Sequence, residues 1–121
     1  MTQDELKIRT KLFALRIIKL VKALPRGVVG RTIGNQIIRC GTSVAANYRS
    51  SCRSRSKNEF VAKIGVVLEE ADETVLWLEL ITEAGLLPMK RIEPLLTEAK
   101  ELVAILASTR KTASSNLKFE I

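Results

Sequence analysis

The chain has 121 residues, of which 46% are hydrophobic and 27% charged, and its formal net charge is +7. This length suits one domain with a real core, and the ratio of apolar to charged residues excludes a wholly disordered chain. No apolar run approaches the roughly 18 residues of a membrane span and the N-terminus is polar, so we expect a cytoplasmic protein without a membrane partner.

Glycines and prolines divide the sequence into four helical segments, with no alternating strand pattern between them. The segments cover about residues 3–24, 30–53, 56–84 and 88–112. Short connections favour antiparallel neighbours. The sequence therefore predicts an all-α fold, an antiparallel up-down four-helix bundle over residues 1–113.

Local signals mark where the later helices begin and end. Ser56, followed by Glu59, predicts a capping box at the start of helix three, and Gly85 ends that helix. Pro88 suits the first turn of helix four. The polar tail at residues 114–121 is expected to fray.

Apolar residues recur at helical spacing and predict the buried side of each helix. The predicted core comprises Leu6, Phe13, Ile17, Leu20, Val21 and Leu24; Ile33, Ile37, Cys40, Val44 and Tyr48; Phe60, Val61, Ile64, Val67, Leu68, Ala71, Val75 and Leu78; and Ile92, Leu95, Leu96, Ala99, Leu102, Val103 and Leu106.

Helices one and three carry more apolar residues than one bundle core needs. The surplus comprises Ile8, Leu12, Leu15 and Ile18 on helix one, and Val66, Leu76, Trp77 and Leu80 on helix three. A monomer would expose these side chains, and exposed apolar patches of this kind are typical of subunit interfaces. We expect a homo-oligomer, with Trp77 at the centre of its interface.

The charges beside the two surplus faces have opposite signs. Helix one carries Arg9, Arg16 and Lys19, whereas helix three carries Glu69, Glu70 and Glu73. Unlike but complementary faces favour a head-to-tail contact between copies, and such a contact forms a ring when it closes.

The residue types also restrict the chemistry. The chain has no histidine, which excludes Ser-His-Asp and Cys-His catalysis and imidazole-bound metals. Cys40 and Cys52 lie about 18 Å apart on one predicted helix, too far for a disulfide, and are expected to be reduced. Aromatic residues make up 4% of the chain, which argues against reading nucleic acid by base stacking.

Basic residues concentrate in the first half of the chain. Residues 1–63 hold 14 Lys and Arg against 3 Asp and Glu, a net +11, while residues 64–121 hold 6 against 10, a net −4. This asymmetry favours either a polyanionic partner or attraction between copies of the chain.

An arginine ridge along helix two is the strongest indication of a binding function. Arg31, Arg39, Arg49 and Arg53 fall within an arc of about 80° and span about 33 Å along the helix axis. Arg55 and Lys57 extend the positive surface around the next turn, as does Lys63. Guanidinium groups match phosphate oxygens, so the ridge predicts binding of RNA or DNA without sequence preference. The alternative is that these arginines pair with carboxylates of helix three or of another subunit.

The segments GTSVAANYRSSCRSRSKNEF at 41–60 and VAKIGVVLEEADETVLWLEL at 61–80, followed by AGLL at 84–87, occur in this order. They resemble the bacterial four-helix-bundle family of 23S rRNA intervening-sequence proteins. The resemblance implies small up-down bundles that assemble as pentameric rings. It also implies kinship with retroelement accessory proteins, whose basic ring holds nucleic acid and a reverse transcriptase. It implies no catalytic residue, metal or cofactor.

Two clusters of glutamates allow an enzymatic alternative. Glu69, Glu70 and Glu73, followed by Glu98 and Glu101, resemble the paired carboxylates with which all-α nucleotide pyrophosphohydrolases of the MazG type hold Mg²⁺. On the helical wheel these side chains point away from the core stripes, which favours solvated or intersubunit acidic faces instead. A third hypothesis is a scaffold that binds only protein, through Trp77 and the aliphatic residues of helix one.

Overall fold

A computed structural model of the chain describes the backbone of residues 1–120 and the side chains of residues 1–115. Four helices follow one another: α1 (Gln3–Ala23), α2 (Val28–Ser51), α3 (Lys57–Glu83) and α4 (Met89–Glu120). Consecutive helices pack closely, whereas α1 and α4 approach each other at few points. The all-α four-helix bundle is confirmed, with a loosely closed seam between α1 and α4.

Side chains that accept hydrogen bonds from backbone N–H groups fix the beginnings of α1 and α3. Thr2 Oγ1 accepts from Glu5 N (3.1 Å), and the Glu5 carboxylate accepts from Thr2 N (3.4 Å). Ser56 Oγ accepts from Glu59 N (3.1 Å). Such caps satisfy donors that have no partner within the helix, so the predicted start of helix three at Ser56 is confirmed.

Gly85 ends α3, as predicted. Its φ of +72° lies in the left-handed region, which costs glycine little. There Leu86 N donates to Ile81 O (2.9 Å) and Gly85 N donates to Thr82 O (3.1 Å). This pair of bonds is the Schellman arrangement, which satisfies the last carbonyls of a helix and redirects the chain.

Helix α4 is longer than predicted. It continues to Glu120, so the expected end near residue 112 is wrong. Residues 111–120 contain no glycine or proline to end the helix, and their polarity alone does not stop it. Of the expected tail at 114–121, Ile121 and the side chains of 116–120 lie outside the described residues.

The core consists mainly of the predicted residues. The exceptions are half-buried positions near the edges of the bundle, namely Val21, Leu24, Ile33, Phe60, Val61, Leu68, Val75 and Val103. Buried residues that the pattern did not predict are Thr10, Ala14, Ser51, Thr74, Ile81 and Leu87. In the described part of the chain, no helix is long and apolar enough to cross a membrane.

Polar groups in this core are satisfied locally. Thr10 donates to the carbonyl one turn earlier (2.9 Å), and Thr74 Oγ1 bonds to Glu70 O (2.8 Å) and to Cys40 Sγ (3.2 Å). Burial raises the pKa of the Cys40 thiol to about 11, so the thiol is neutral at pH 7. Cys40 and Cys52 are both free, as predicted.

Small residues set the register between α1 and α2. An added Cβ at Gly41 would lie 2.8 Å from Ile17 Cγ1, and one at Gly34 would lie 3.4 Å from Val21 Cγ1. The two helices therefore run antiparallel at close range. Further along α2, Ala45 and Ala46 line a surface groove instead of a helix contact.

Gly30→Ala is expected to destabilise the fold by about 1–3 kcal/mol, the usual range for overpacking. An added Cβ would lie 2.0 Å from Pro25 O, a backbone atom that cannot move without distorting the α1–α2 turn. Gly65→Ala is the control, because its Cβ would meet the flexible side chain of Arg110 at 3.2 Å. Urea unfolding should show a loss for the first variant only; equal stability of the two would contradict this account of the turn.

Candidate nucleic-acid interface

The predicted arginine ridge is divided in the structure. Arg31 lies in the first turn of α2, about 27 Å along the helix from Arg49. Arg49 lies in the last turn of α2, and Arg53 and Arg55 follow in the turn to α3. All four are exposed. Arg39 lies midway along α2, between Arg31 and the arginines at the other end, and it is held by carboxylates of α3.

Arg39 binds α3. Its guanidinium donates to Glu70 Oε2 (3.3 Å) and to Glu73 Oε2, and Glu73 also accepts from Trp77 Nε1 (3.1 Å). The Trp77 indole and the Arg39 guanidinium together hold the pKa of Glu73 below its usual range. The structural alternative therefore applies to Arg39, whose charge is balanced within the chain.

An open groove of about 460 Å³ lies between α1 and α2 beside the other arginines. It is lined by Lys11 from α1 and, from α2 and the following turn, by Thr42, Ala45, Ala46, Arg49, Ser50 and Arg53. None of the ion pairs described for residues 1–115 uses Lys11, Arg49 or Arg53. The groove therefore combines a floor of small residues with three cations that no carboxylate neutralises.

Cations from all four helices meet at this end of the bundle. We call the following set the basic end: Lys11, Arg49, Arg53, Arg55, Lys57, Lys63, Arg110 and Lys111. Because the helices are antiparallel, the start of α1, the α2–α3 turn and the second half of α4 lie together.

The carboxylates near the basic end already have partners. Asp4 lies 3.9 Å from Lys7, the Glu5 carboxylate caps α1, and Glu59 lies 3.1 Å from Lys63 Nζ. Glu59 therefore neutralises Lys63, whereas Asp4 and Glu5 have partners outside the set, so the described part of the basic end keeps a net positive charge. Net positive charge on one end of a small domain attracts polyanions.

Sequence reasoning missed three members of the basic end. Lys11 stands alone between Thr10 and Leu12, so its link to the ridge arises only from the register of α1 against α2. Arg110 and Lys111 lie near the expected end of helix four. The predicted antiparallel order of the helices, which brings the last turns of helix four beside the turn after helix two, is the signal that could have placed them at this end.

Glu98 and Glu101 on α4 bind Arg9 of α1. The Arg9 guanidinium donates two hydrogen bonds of 2.7 Å to Glu98 and one of 2.8 Å to Glu101. This bidentate contact spans the loosely packed seam between the two helices. Hydrogen bonds from Arg9 hold the pKa of Glu98 below its usual range, although burial opposes them.

Arg9→Met is expected to lower the free energy of unfolding by about 1–3 kcal/mol at pH 7, because it leaves Glu98 partly buried and unpaired. The pKa of Glu98 is lower in the folded state than in the unfolded state. The contribution of the pair to the free energy of unfolding is therefore complete above the unfolded glutamate pKa of about 4.3, and it is lost as the pH falls through the lower folded value. Urea unfolding should show that the difference between Arg9→Met and wild type is smaller at pH 3 than at pH 7 (about one unit below and three units above the unfolded pKa). Lys22→Met, on exposed α1 surface, should change stability by less than about 0.5 kcal/mol; a constant Arg9→Met effect would contradict this account.

The two acidic clusters do not converge on a metal. Glu70 and Glu73 face α2, whereas Glu98 and Glu101 face α1. Within the described residues, no group of three or more acidic or cysteine side chains is arranged to hold an ion. The expectation of solvated or intersubunit acidic faces does not hold for Glu70, Glu73 and Glu98, which are half-buried and pair with arginines of the same chain. Glu101 also pairs with Arg9 but remains exposed. Glu69 is exposed.

The surplus apolar residues remain on the surface of the folded chain. On α1, Ile8, Leu12 and Leu15 are exposed, whereas Ile18 is half-buried. On α3, the exposed residues are Val66, Leu76 and Leu80. The backbones of α1 and α3 do not approach each other closely, as expected for helices diagonally across the bundle, so their outer faces lie on different sides. Trp77 is half-buried and packs against the core of its own chain, which leaves part of the ring for a neighbour.

The sequence of residues 5–108 matches the family model of the 23S rRNA-intervening sequence proteins. The chain belongs to this family. A crystal structure of a protein of unknown function from the S23 ribosomal protein family of Bacteroides thetaiotaomicron is 32% identical to it, with a TM-score of 0.80. That similarity covers 87% of this chain and 97% of the other. No curated protein matches the chain.

The family match confirms the resemblance that segments 41–60 and 61–80 indicated. For this 23S rRNA-intervening sequence family member, the matched region includes Lys11, Arg49 and Arg53 but stops before Arg110 and Lys111. The groove between α1 and α2 therefore lies wholly inside the family fold, and two cations of the basic end lie beyond the match.

Proposed function

We propose that this protein is a non-enzymatic, oligomeric accessory factor that binds the backbone of RNA or DNA through its basic end, without sequence preference. The observation that carries the proposal is the open groove lined by Lys11, Arg49 and Arg53, at an end of the bundle that also carries cations of α3 and α4. Arginine donors form charge-assisted bonds to phosphate oxygens, and such contacts position a nucleic acid without reading its bases.

The distribution of carboxylates supports a non-catalytic role. The glutamates that could have held Mg²⁺ instead pair with Arg9 and Arg39 in two separate places. These pairs bridge α1 to α4 and α2 to α3, so they stabilise the bundle. The chain contains no histidine to act as a general base at neutral pH.

Two unlike surfaces support assembly. The exposed apolar face of α1 is flanked by Arg16 and Lys19, and that of α3 is flanked by Glu69 and Asp72, all of them exposed. Because the two faces carry opposite charges and lie on different sides of the bundle, the α1 face of one copy docks on the α3 face of the next. We propose a closed head-to-tail ring, and the family resemblance suggests five copies.

A pair of matched double variants tests the proposed binding end. Arg49→Ala/Arg53→Ala removes two cations from the basic end, and Arg26→Ala/Arg31→Ala removes two exposed arginines from the opposite end. We expect the first to weaken binding of labelled RNA and DNA duplexes at least about tenfold, and the second to change it less than about threefold. Fluorescence anisotropy gives both affinities, and light scattering checks that each variant keeps the wild-type mass.

Other outcomes would contradict the proposal. Equal losses in the two double variants would mean that net charge, and not the basic end, governs binding. Wild-type protein that binds no nucleic acid even at low salt would remove the proposed function and leave the protein-only scaffold, which the exposed α1 face favours.

A further inference from the structure

We infer that the groove between α1 and α2 holds one phosphodiester strand, with Lys11 on one side of the strand and Arg49 and Arg53 on the other. This inference rests on the proposed function and assigns its phosphate site. It adds Lys11, which the arginine pattern of helix two did not include.

The placement of the three cations carries the inference. Arg49 lies in the last turn of α2 and Arg53 in the turn that follows it, and both side chains line the groove. Lys11 lines the same groove from the neighbouring helix. A ligand in the groove therefore meets positive charge from both sides, as a polyanionic strand requires.

The lining between the cations fits a strand backbone. Ala45 and Ala46 have side chains too short to fill the groove, so a sugar-phosphate chain can approach the helix surface. Ser50 Oγ accepts a hydrogen bond from Lys63 Nζ (3.2 Å), but Lys63 is paired with Glu59 and is not counted among the free cations of the groove. The alanines offer no hydrogen bonds to base edges, so the attraction that the groove offers a strand comes mainly from the charges of its cations.

The charge arrangement distinguishes this groove from other basic positions on the molecule. Arg9 and Arg39 are held by glutamates of the same chain, whereas none of the ion pairs among residues 1–115 uses Lys11, Arg49 or Arg53. An anion in the groove therefore does not have to displace a carboxylate. The negative charge of the bound strand replaces the solution anions that otherwise surround the three side chains.

Lys11→Ala tests the site against Lys22→Ala. The two lysines lie on α1 eleven residues apart, close to three helical turns, so they point in about the same direction about 16 Å from each other. Both are exposed, and each substitution removes one charge. For a 20-bp duplex (about two helical turns) at 0.1 M salt, we expect Lys11→Ala to weaken binding about 5–10-fold and to lower the slope of log K against log salt by about 0.9. Lys22→Ala should leave both unchanged.

A neutral substitution tests occupancy of the groove separately from charge. Ala46 is exposed on the groove lining, so Ala46→Leu narrows the groove while keeping a residue that favours helix. Ala104→Leu adds the same apolar bulk on exposed α4. We expect only Ala46→Leu to weaken binding, by at least about fivefold, with circular dichroism and mass unchanged.

The outcomes separate this inference from the proposed function. If Arg49→Ala/Arg53→Ala weakens binding while Lys11→Ala and Ala46→Leu do not, the strand lies elsewhere on the basic end and the inference is wrong. If Lys11→Ala and Lys22→Ala weaken binding equally, the lysine acts through overall charge, which also overturns it. If wild-type protein does not bind the duplex, the proposed function fails first.

Discussion

Chains carrying Leu12→Glu and chains carrying Leu76→Glu are each expected to be monomeric alone and to form a dimer when mixed. Leu12 is 56% exposed on α1 and Leu76 is 48% exposed on α3, so a buried charge would prevent each face from docking without disturbing the core. The first variant keeps an intact α3 face and the second an intact α1 face. In the mixture, the intact α1 face of one variant docks on the intact α3 face of the other. The two remaining faces each carry a glutamate, so no further copy can bind.

Light scattering distinguishes the expected species, because one chain has a mass of 13.5 kDa and the heterodimer about twice that. The control is a mixture of Leu12→Glu with Leu15→Glu chains, which share a damaged α1 face and should stay monomeric. Wild-type protein is expected to be a larger ring. A monomeric wild type, or dimers in the control mixture, would contradict head-to-tail assembly.

Nucleic-acid binding is expected to depend on this assembly. A ring repeats the basic end once per copy, and linked weak sites can exceed the affinity of one site by about 10²–10⁴-fold. Leu76→Glu chains should therefore bind a duplex long enough to contact several copies about 10²–10⁴-fold more weakly than wild type does, although Lys11, Arg49 and Arg53 remain in place.

The added charge has its own control. Thr97→Glu introduces the same charge at an exposed position of α4 outside both proposed faces, and it should bind nearly as tightly as wild type. Anisotropy titrations of both variants with the same duplex give the comparison. Monomeric Leu76→Glu chains with wild-type affinity would show that each bundle binds alone.

The sequence was sufficient for the architecture because its local signals agree with the global pattern. Ser56 and Gly85 mark the two ends of α3, and the apolar stripes identify most of the core. The end of α4 was predicted too early, since polarity after residue 112 does not break a helix that lacks glycine and proline.

The site was harder to predict because it depends on which side chains face each other across helices. The helical wheel placed Arg39 beside Arg49, but packing of α2 on α3 brings Arg39 to Glu70 and Glu73. Lys11 reaches the groove through the register that Gly41 permits against Ile17. Neither contact follows from spacing within a single helix.

Trp77 illustrates the same limit. Its position on the wheel predicted the centre of an outer face, whereas the structure finds it half-buried, with its indole N–H donating to Glu73 (3.1 Å). A large side chain can lean across its helix toward the core or a polar partner, which the wheel does not represent. Leu76 is therefore the cleaner probe of the α3 face.

The salt dependence of duplex affinity, measured for wild-type protein and for Arg49→Ala/Arg53→Ala, tests the central claim most directly. Each phosphate contact contributes about 0.9 to the slope of log K against log salt. We predict a linear dependence for wild type and a slope smaller by about 1.8 for the double variant in each engaged chain, equally on RNA and DNA duplexes of unrelated sequence. An unchanged slope would mean that these arginines do not contact phosphate, and it would contradict binding at the basic end.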